Sequence, residues 1–75
     1  MPNKFYLIGT HVEVVNIDMN GLHGRDPHPP AAAEGRMGQI IGFPREERSD
    51  DYTLILYPVH IPGLGEFWFA DYELN

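Results

Sequence analysis

The chain of 75 residues has no cysteine, a single serine and only five basic side chains. Without cysteine, disulfide scaffolds, thiolate-bound zinc, iron–sulfur clusters and thiol catalysis are excluded. Ser49 lies in no nucleophile-elbow motif, and the sequence has no glycine-rich phosphate-binding loop. Eleven acidic side chains give a net charge of −6, and the basic residues are spread along the chain. These features predict a protein that is not an enzyme and does not bind nucleic acid directly.

Long hydrophobic runs are also missing. The N-terminal run covers only Phe5–Ile8, which is shorter than the roughly 7–15 residues of a signal peptide core or the roughly 20 of a membrane span. We therefore expect a cytoplasmic protein that does not contact a membrane. With 43% hydrophobic and 12% aromatic residues, the composition predicts one small folded domain over residues 1–75.

Short segments rich in β-branched and aromatic residues predict an all-β protein, since seven prolines and eight glycines would interrupt long helices. A hairpin of the last two main strands is expected around Pro62-Gly63. The expected main strands are Thr10–Asn16, Gly38–Phe43, Tyr52–Tyr57 and Glu66–Ala70. Phe5–Ile8 is a candidate for a short preceding strand.

The segments between these strands complete the predicted architecture. Residues 17–36 form a long Pro- and Gly-rich loop with a turn signal at Asn20-Gly21, and loops of this length in small domains are usually functional or disordered. We expect Arg45–Asp51 to be a hydrophilic connector and Pro58 to end or bend the third main strand. Asp71–Leu74 should form a closing helical turn whose Leu74 fills the core.

A small barrel of four to five strands fits this pattern, because closure removes the exposed edges of a small sheet. Three motifs follow one another along the chain, namely Gly9-x-x-Val12-x-Val14, Gly35-x-x-Gly38-x-Ile40 and Asp71-x-Glu73-Leu74. Their order resembles SH3-like barrels. Within that fold it is similar to the C-terminal domain of nitrile hydratase β subunits, the variable chain of ferredoxin–thioredoxin reductase and the photosystem I protein with an SH3-like fold.

One loop motif is similar to a more specific feature of nitrile hydratase β subunits. His23-x-Arg25-x-Pro27 resembles their Gly-His-x-Arg-x-Pro loop, although Leu22 interrupts the Gly-His pair and Glu34 replaces an arginine of the following strand entry. In that family the loop faces the partner protein, and the other chain holds the metal. The resemblance implies that His23 and Arg25 face a partner here and that this chain carries no metal or cofactor.

A second similarity would imply an enzyme. Gly38–Phe43 and Tyr52 resemble a strand and a tyrosine of the type II dihydrofolate reductases, which bind folate and NADPH in a tetrameric pore. The strand that should carry the polar pore chemistry is Glu66–Phe69, which is mostly apolar, and Val14 and Val15 stand where basic residues would be expected. We therefore expect no reductase activity.

Three consecutive aromatic residues at Phe67, Trp68 and Phe69 are the main surface signal. Strand alternation places Trp68 on the side opposite the two phenylalanines. Two interpretations remain open: Pro27–Pro30 pack over Trp68, or Trp68 anchors an interface, and both would hold together in a homo-oligomer.

These observations favour a non-catalytic protein-binding or accessory subunit that docks on a larger protein through its long loop and an aromatic patch. The predicted partner-binding residues are His23, Arg25, Pro27, Trp68 and Tyr72. No metal site is expected from His23, Asp26 and His28, because a proline-rich loop is a poor scaffold for one. The alternative is an acidic inhibitor, similar to phage decoys that mimic nucleic acid, which would block a basic groove through Glu46, Glu47, Asp50 and Asp51.

Overall fold

The computed structural model describes residues 5–18, 25, 27–48 and 50–75, and these residues form a five-stranded antiparallel sheet. The strands are β1 (His11–Glu13), β2 (Met37–Ile40), β3 (Arg45–Arg48), β4 (Thr53–Ile61) and β5 (Gly65–Ala70), and 3-10 turns cover Ala31–Ala33 and Asp71–Glu73. The all-β prediction is confirmed. None of the helical segments in the described ranges has the length and apolarity to cross a membrane. The predicted turn at Asn20-Gly21 lies outside the described residues.

Strand β4 is the centre of the sheet. Leu56 pairs with Arg45 of β3 and with Ala70 of β5, so β3 and β5 lie on opposite edges of β4. Strand β2 pairs with the same edge of β4 as β3 does, but further along β4, where Ile40 lies opposite Val59. The predicted hairpin of β4 and β5 is therefore confirmed, and β4 binds two successive partners along its other edge.

Pro58 lies between those two partners and does not end the strand. Its carbonyl accepts a hydrogen bond from the N–H of Ile41 at 2.9 Å. Trp68 lies opposite Pro58 on β5, and its carbonyl accepts a hydrogen bond from Arg25. The N–H and the carbonyl of a strand residue face the same edge, so the N–H that Pro58 lacks would point to the β2 and β3 edge and not to Trp68. There it falls between the paired residues Leu56 and Val59, which explains how a proline is accommodated within a central strand.

The C-terminal residues close the sheet onto β1. After the 3-10 turn of Asp71–Glu73, Leu74 pairs with Val14, and Glu13 and Asn75 exchange two backbone hydrogen bonds of 2.9 Å. The path thus returns from β5 to the first strand. Leu74 is fully buried, so both the closing helical turn and the placement of Leu74 in the core are confirmed.

The core lies on one face of this closed path. Alternate residues of the strands point into it, and its buried members include Val12, Val14, Ile40, Tyr57, Val59, Ile61, Phe69 and Leu74. Gly38 allows β2 to approach β4 closely, because a Cβ atom at this position would lie 2.6 Å from Val59 Cγ1 and 2.8 Å from the carbonyl oxygen of His60. A single glycine therefore fixes the distance between two strands of the core.

Three local predictions are wrong. The expected connector Arg45–Asp51 contains β3, because its alternating charged residues pair along β4, where Leu54 and Leu56 already supply the apolar surface. Phe5–Ile8 forms no strand: the N–H of Thr10 donates to the carbonyl of Leu7 in a turn that needs Gly9 at a φ of 95°. Strands β1 and β2 are also shorter than expected at their C-terminal ends.

Candidate functional site

Arg25 holds the long loop against the sheet from inside the molecule. Its Nη1 donates to Glu73 Oε1 at 2.8 Å and to the carbonyl oxygen of Trp68 at 3.1 Å. Its Nη2 donates to the carbonyl oxygen of Asp18 at 3.0 Å. Both charged side chains of the Arg25–Glu73 ion pair are fully buried. We call Asp18, Arg25, Tyr72 and Glu73 the loop anchor.

Glu73 is positioned for this role by the 3-10 turn that follows β5 directly. Besides the arginine, its carboxylate accepts hydrogen bonds from the N–H of Ala70, at 2.8 Å, and from the N–H of Asp18. Burying an ion pair has a large desolvation cost, which is offset only when the remaining hydrogen-bonding capacity is also used. The three donors around Glu73 meet that condition for the carboxylate, whereas Nε of Arg25 is buried without a hydrogen-bond partner among the described residues.

Tyr72 extends the loop anchor to the surface. Its hydroxyl donates to Asp18 Oδ2 at 2.8 Å, while its side chain stays 44% exposed. Partial burial, followed by the hydrogen bond to Asp18, raises the pKa of Tyr72 well above its ordinary value of 10.0. The phenol therefore remains a protonated donor throughout the physiological pH range.

His28 fixes the loop at a second point. Its Nδ1 lies 3.0 Å from the carbonyl oxygen of Pro29, and its Nε2 lies 3.3 Å from Arg25 Nη2. A carbonyl oxygen only accepts, so Nδ1 carries the proton and Nε2 accepts from the guanidinium. The neutral imidazole thus connects the buried Arg25 to the buried Pro29.

The indole of Trp68 lies on the opposite side of β5 from Phe67 and Phe69, as strand alternation predicted. It packs with Leu56 and Ala70, and Arg45 Cζ lies 4.6 Å from the centroid of its ring. The charged cover over the ring therefore comes from β3. The long loop contacts Trp68 through its backbone carbonyl.

The structure brings three of the five predicted partner-binding residues into one network, namely Arg25, Trp68 and Tyr72. Pro27 is exposed in the loop, and His23 lies outside the described residues. The side chain of Arg25 is buried and pairs with Glu73, so it does not face solvent in this chain, and its contact with a partner stays a prediction. Sequence reasoning placed Glu73 in a closing motif but not in a site, since its partner is 48 positions away.

No metal site of the usual protein ligands is present within the described ranges, where no three His, Asp or Glu side chains come together suitably. Comparison with protein-family models, curated proteins and solved structures gives no match to this chain. The resemblance to SH3-like barrels therefore stays a prediction from motifs. The function has to be argued from the side chains themselves.

Proposed function

We propose that this chain is a non-catalytic docking subunit that binds a larger protein through the surface fixed by the loop anchor. That docking face consists of the exposed residues Pro27, His28 and Tyr72. The observation that supports the proposal is the fully buried Arg25–Glu73 pair, which ties this part of a long loop to β5 and to the closing turn.

A buried ion pair is a costly way to hold a loop. Replacing such a pair by well-packed apolar residues is often neutral or stabilising, so its benefit lies in demanding one geometry rather than in adding stability. Here that geometry fixes His28 through Arg25 and Tyr72 through Asp18. A surface ordered in advance loses less conformational entropy when a partner binds. This is the property expected of a docking face.

The chemistry of the anchor favours binding over catalysis. Both carboxylate oxygens of Glu73 accept hydrogen bonds from protein groups, and the guanidinium of Arg25 donates to two backbone carbonyls. The carboxylate has no free oxygen to act on a substrate, and the one unpartnered nitrogen of Arg25, Nε, is buried away from solvent. Tyrosine, by contrast, is enriched among the residues that dominate binding energy, and Tyr72 is the member of the anchor that reaches solvent.

The alternative function, an acidic inhibitor of a basic groove, depends on the four acids Glu46, Glu47, Asp50 and Asp51. Two of these are paired within β3: Glu46 contacts Arg48 at 2.8 Å and Glu47 contacts Arg45 at 3.0 Å. The ion pairs reduce the negative potential of this segment. The docking proposal is therefore favoured over the inhibitor.

Affinity capture of a protein partner with two matched tyrosine variants tests the proposal. Tyr72 and Tyr52 are equally exposed, at 44% each. We expect Tyr72→Ala to weaken capture at least about tenfold, while Tyr52→Ala retains it. A variant with Glu46, Glu47, Asp50 and Asp51 neutralised should also retain capture at low and high salt.

Two outcomes would contradict the docking face. If Tyr52→Ala and Tyr72→Ala weaken capture of the partner equally, the partner does not bind specifically through this surface. Loss of binding in the four-acid variant alone, with a steep decrease on adding salt, would support the inhibitor instead, because salt screens exposed charges.

A further inference from the structure

A pocket on the outer face of the sheet brings together two histidines from distant parts of the chain. The cavity, of about 160 Å³, is lined by His11, Met37, Gly38, Gln39, His60 and Pro62. In the strand register, Gln39 of β2 lies opposite His11 of β1 on one side and opposite His60 of β4 on the other. The two imidazoles therefore stand on either side of β2.

Three donor groups remain to face this pocket. The side-chain nitrogen of Gln39 is already used, since it donates to the carbonyl oxygen of Gly9 at 3.1 Å, and the amide oxygen is a hard donor of the kind that suits Mg²⁺ or Ca²⁺. Met37 lies two residues before Gln39 on the same strand, so alternation places its thioether on the same outer face. The imidazoles of His11 and His60 and the sulfur of Met37 are the nitrogen and sulfur donors that the pocket offers to a ligand.

Glu66 lies beside one of the imidazoles. It lies opposite His60 on β5, and its Oε2 is 3.9 Å from His60 Nδ1. This distance is longer than a hydrogen bond, but it places a carboxylate on the Nδ1 side of the ring and leaves the Nε2 side to the pocket. Histidines that bind metals almost always donate a hydrogen bond from their second nitrogen, and Glu66 is close enough to accept one after a small movement of either side chain.

We propose that this pocket binds a soft monovalent cation, Cu(I), through the imidazoles of His11 and His60 and the thioether of Met37. Strands β1 and β4 lie about 10 Å apart across β2, since neighbouring strands are about 4.8 Å apart. Both imidazoles line the same pocket, so by tilting toward each other over Gln39 they would hold one ion from opposite sides, as suits an ion of low coordination number. Thioether sulfur selects soft ions of this kind.

The composition of the pocket disfavours zinc. Structural zinc needs four ligands and catalytic zinc three, drawn from cysteine, histidine and carboxylates, and the described part of the chain offers no such group of three. The histidines involved are also distinct from His23 and His28 of the long loop, for which no metal site was expected. The proposed site is independent of the docking face.

Titration with Ag(I), which has the charge and filled d shell of Cu(I) but does not change oxidation state, tests the site. The chain has no cysteine to compete for silver. We expect one equivalent to bind, with the ring-nitrogen NMR signals of His11 and His60 shifting together. His11→Asn and His60→Asn should each lower the affinity at least about tenfold. His28→Asn, which changes an exposed imidazole outside the pocket, should leave it unchanged.

Met37→Leu separates a soft-ion site from a simple histidine pair. Leucine keeps the size and apolarity of the side chain but lacks sulfur, so it should lower the affinity for Ag(I) and leave that for Zn²⁺ unchanged. Since His11, Met37 and His60 are all exposed, these variants should fold normally. The proposal is overturned if Ag(I) does not bind, if Zn²⁺ binds more tightly, or if His28→Asn weakens binding as much as His60→Asn does.

Discussion

The loop anchor and strand β3 use the same pair of residue types in opposite ways. In the loop anchor, Arg25 and Glu73 are 2.8 Å apart and both side chains are fully buried. On β3, Arg48 and Glu46 are also 2.8 Å apart, but their side chains are 74% and 45% exposed. The distance between the charged atoms alone therefore does not distinguish an ion pair that holds the structure together from one that lies on the surface and contributes little to stability.

Solvent makes the difference. Water weakens the attraction between exposed charges and salt screens it further, so such pairs contribute little to stability. A buried pair has lost that solvation, and each charge depends on the other and on nearby backbone dipoles. Removing one partner then leaves an uncompensated charge in the interior. The contrast predicts a graded series of effects.

The largest effect is expected for Arg25→Ala. The variant leaves the Glu73 carboxylate buried without its cation and frees the carbonyl of Trp68, so the free energy of unfolding should decrease by about 3–5 kcal/mol. Urea unfolding followed by circular dichroism measures this change. A loss no larger than that of Arg48→Ala would contradict the difference drawn between the two pairs.

The double variant Arg25→Met, Glu73→Leu is the control for that result. It removes both charges, so it should be more stable than Arg25→Ala alone. It should not fully recover the stability of the original chain, because the N–H groups of Ala70 and Asp18 lose their acceptor on Glu73. If the single and double variants unfold at the same urea concentration, the buried charge is not the cause of the loss.

A smaller effect is expected for Tyr72→Phe, which removes the hydrogen bond to Asp18 and keeps the ring. The decrease at neutral pH should be about 0.5–1.5 kcal/mol. Because the pKa of Tyr72 is raised in the folded chain, its contribution is complete below about pH 10 and is lost as the pH rises through the raised value. Urea midpoints measured at neutral and alkaline pH should therefore converge for the two proteins, and a constant difference would contradict this role.

Arg45→Ala should cost about 0.5–1 kcal/mol, the value of an exposed cation–π contact. Arg45 also contacts Glu47, so Glu47→Gln serves as a comparison that removes the ion pair and keeps the guanidinium over Trp68. The fluorescence of Trp68, the only tryptophan in the chain, should change in Arg45→Ala and stay nearly constant in Glu47→Gln. The reverse order would show that the ring does not bind the cation.

The smallest effect is expected for Arg48→Ala. Its partner Glu46 is exposed, so the change in the free energy of unfolding should stay within about 0.5 kcal/mol. Any difference from the original chain should disappear as salt is added. A loss that persists at high salt would place Arg48 in the same class as Arg25.

The parts of the fold that could be predicted from sequence are those with local signals. The segments that became β4 and β5 are rich in β-branched and aromatic residues, and Pro62-Gly63 marks the turn between them. Strand β3 carries no such signal, because its sequence is Arg-Glu-Glu-Arg and its apolar surface comes from β4. Pro58 was misleading, since only the pairing of neighbouring strands shows that its missing N–H is harmless there.

The candidate site was harder to predict because its contacts are distant in sequence. The sequence predicts Trp68 and Tyr72 as partner-binding residues. Nothing near Arg25 in the sequence indicates that it pairs with Glu73, which is 48 positions away. The placement of His11 and His60 on either side of Gln39 likewise depends on strand register. Register is fixed by the packing of the whole sheet and is not encoded next to either residue.

The loop anchor also has a consequence for hydrogen exchange. The carboxylate of Glu73 accepts hydrogen bonds from two backbone amides. The amide of Asp18 is 55 positions away in sequence, and that of Ala70 is 3 positions away. Releasing the loop would break the first contact, whereas the second is local to the closing turn and can survive. Because parts of a protein open separately with different free energies, we expect the Asp18 amide to exchange faster than that of Ala70. The ratio of the two rates would report how often the loop leaves the sheet while the rest of the chain stays folded.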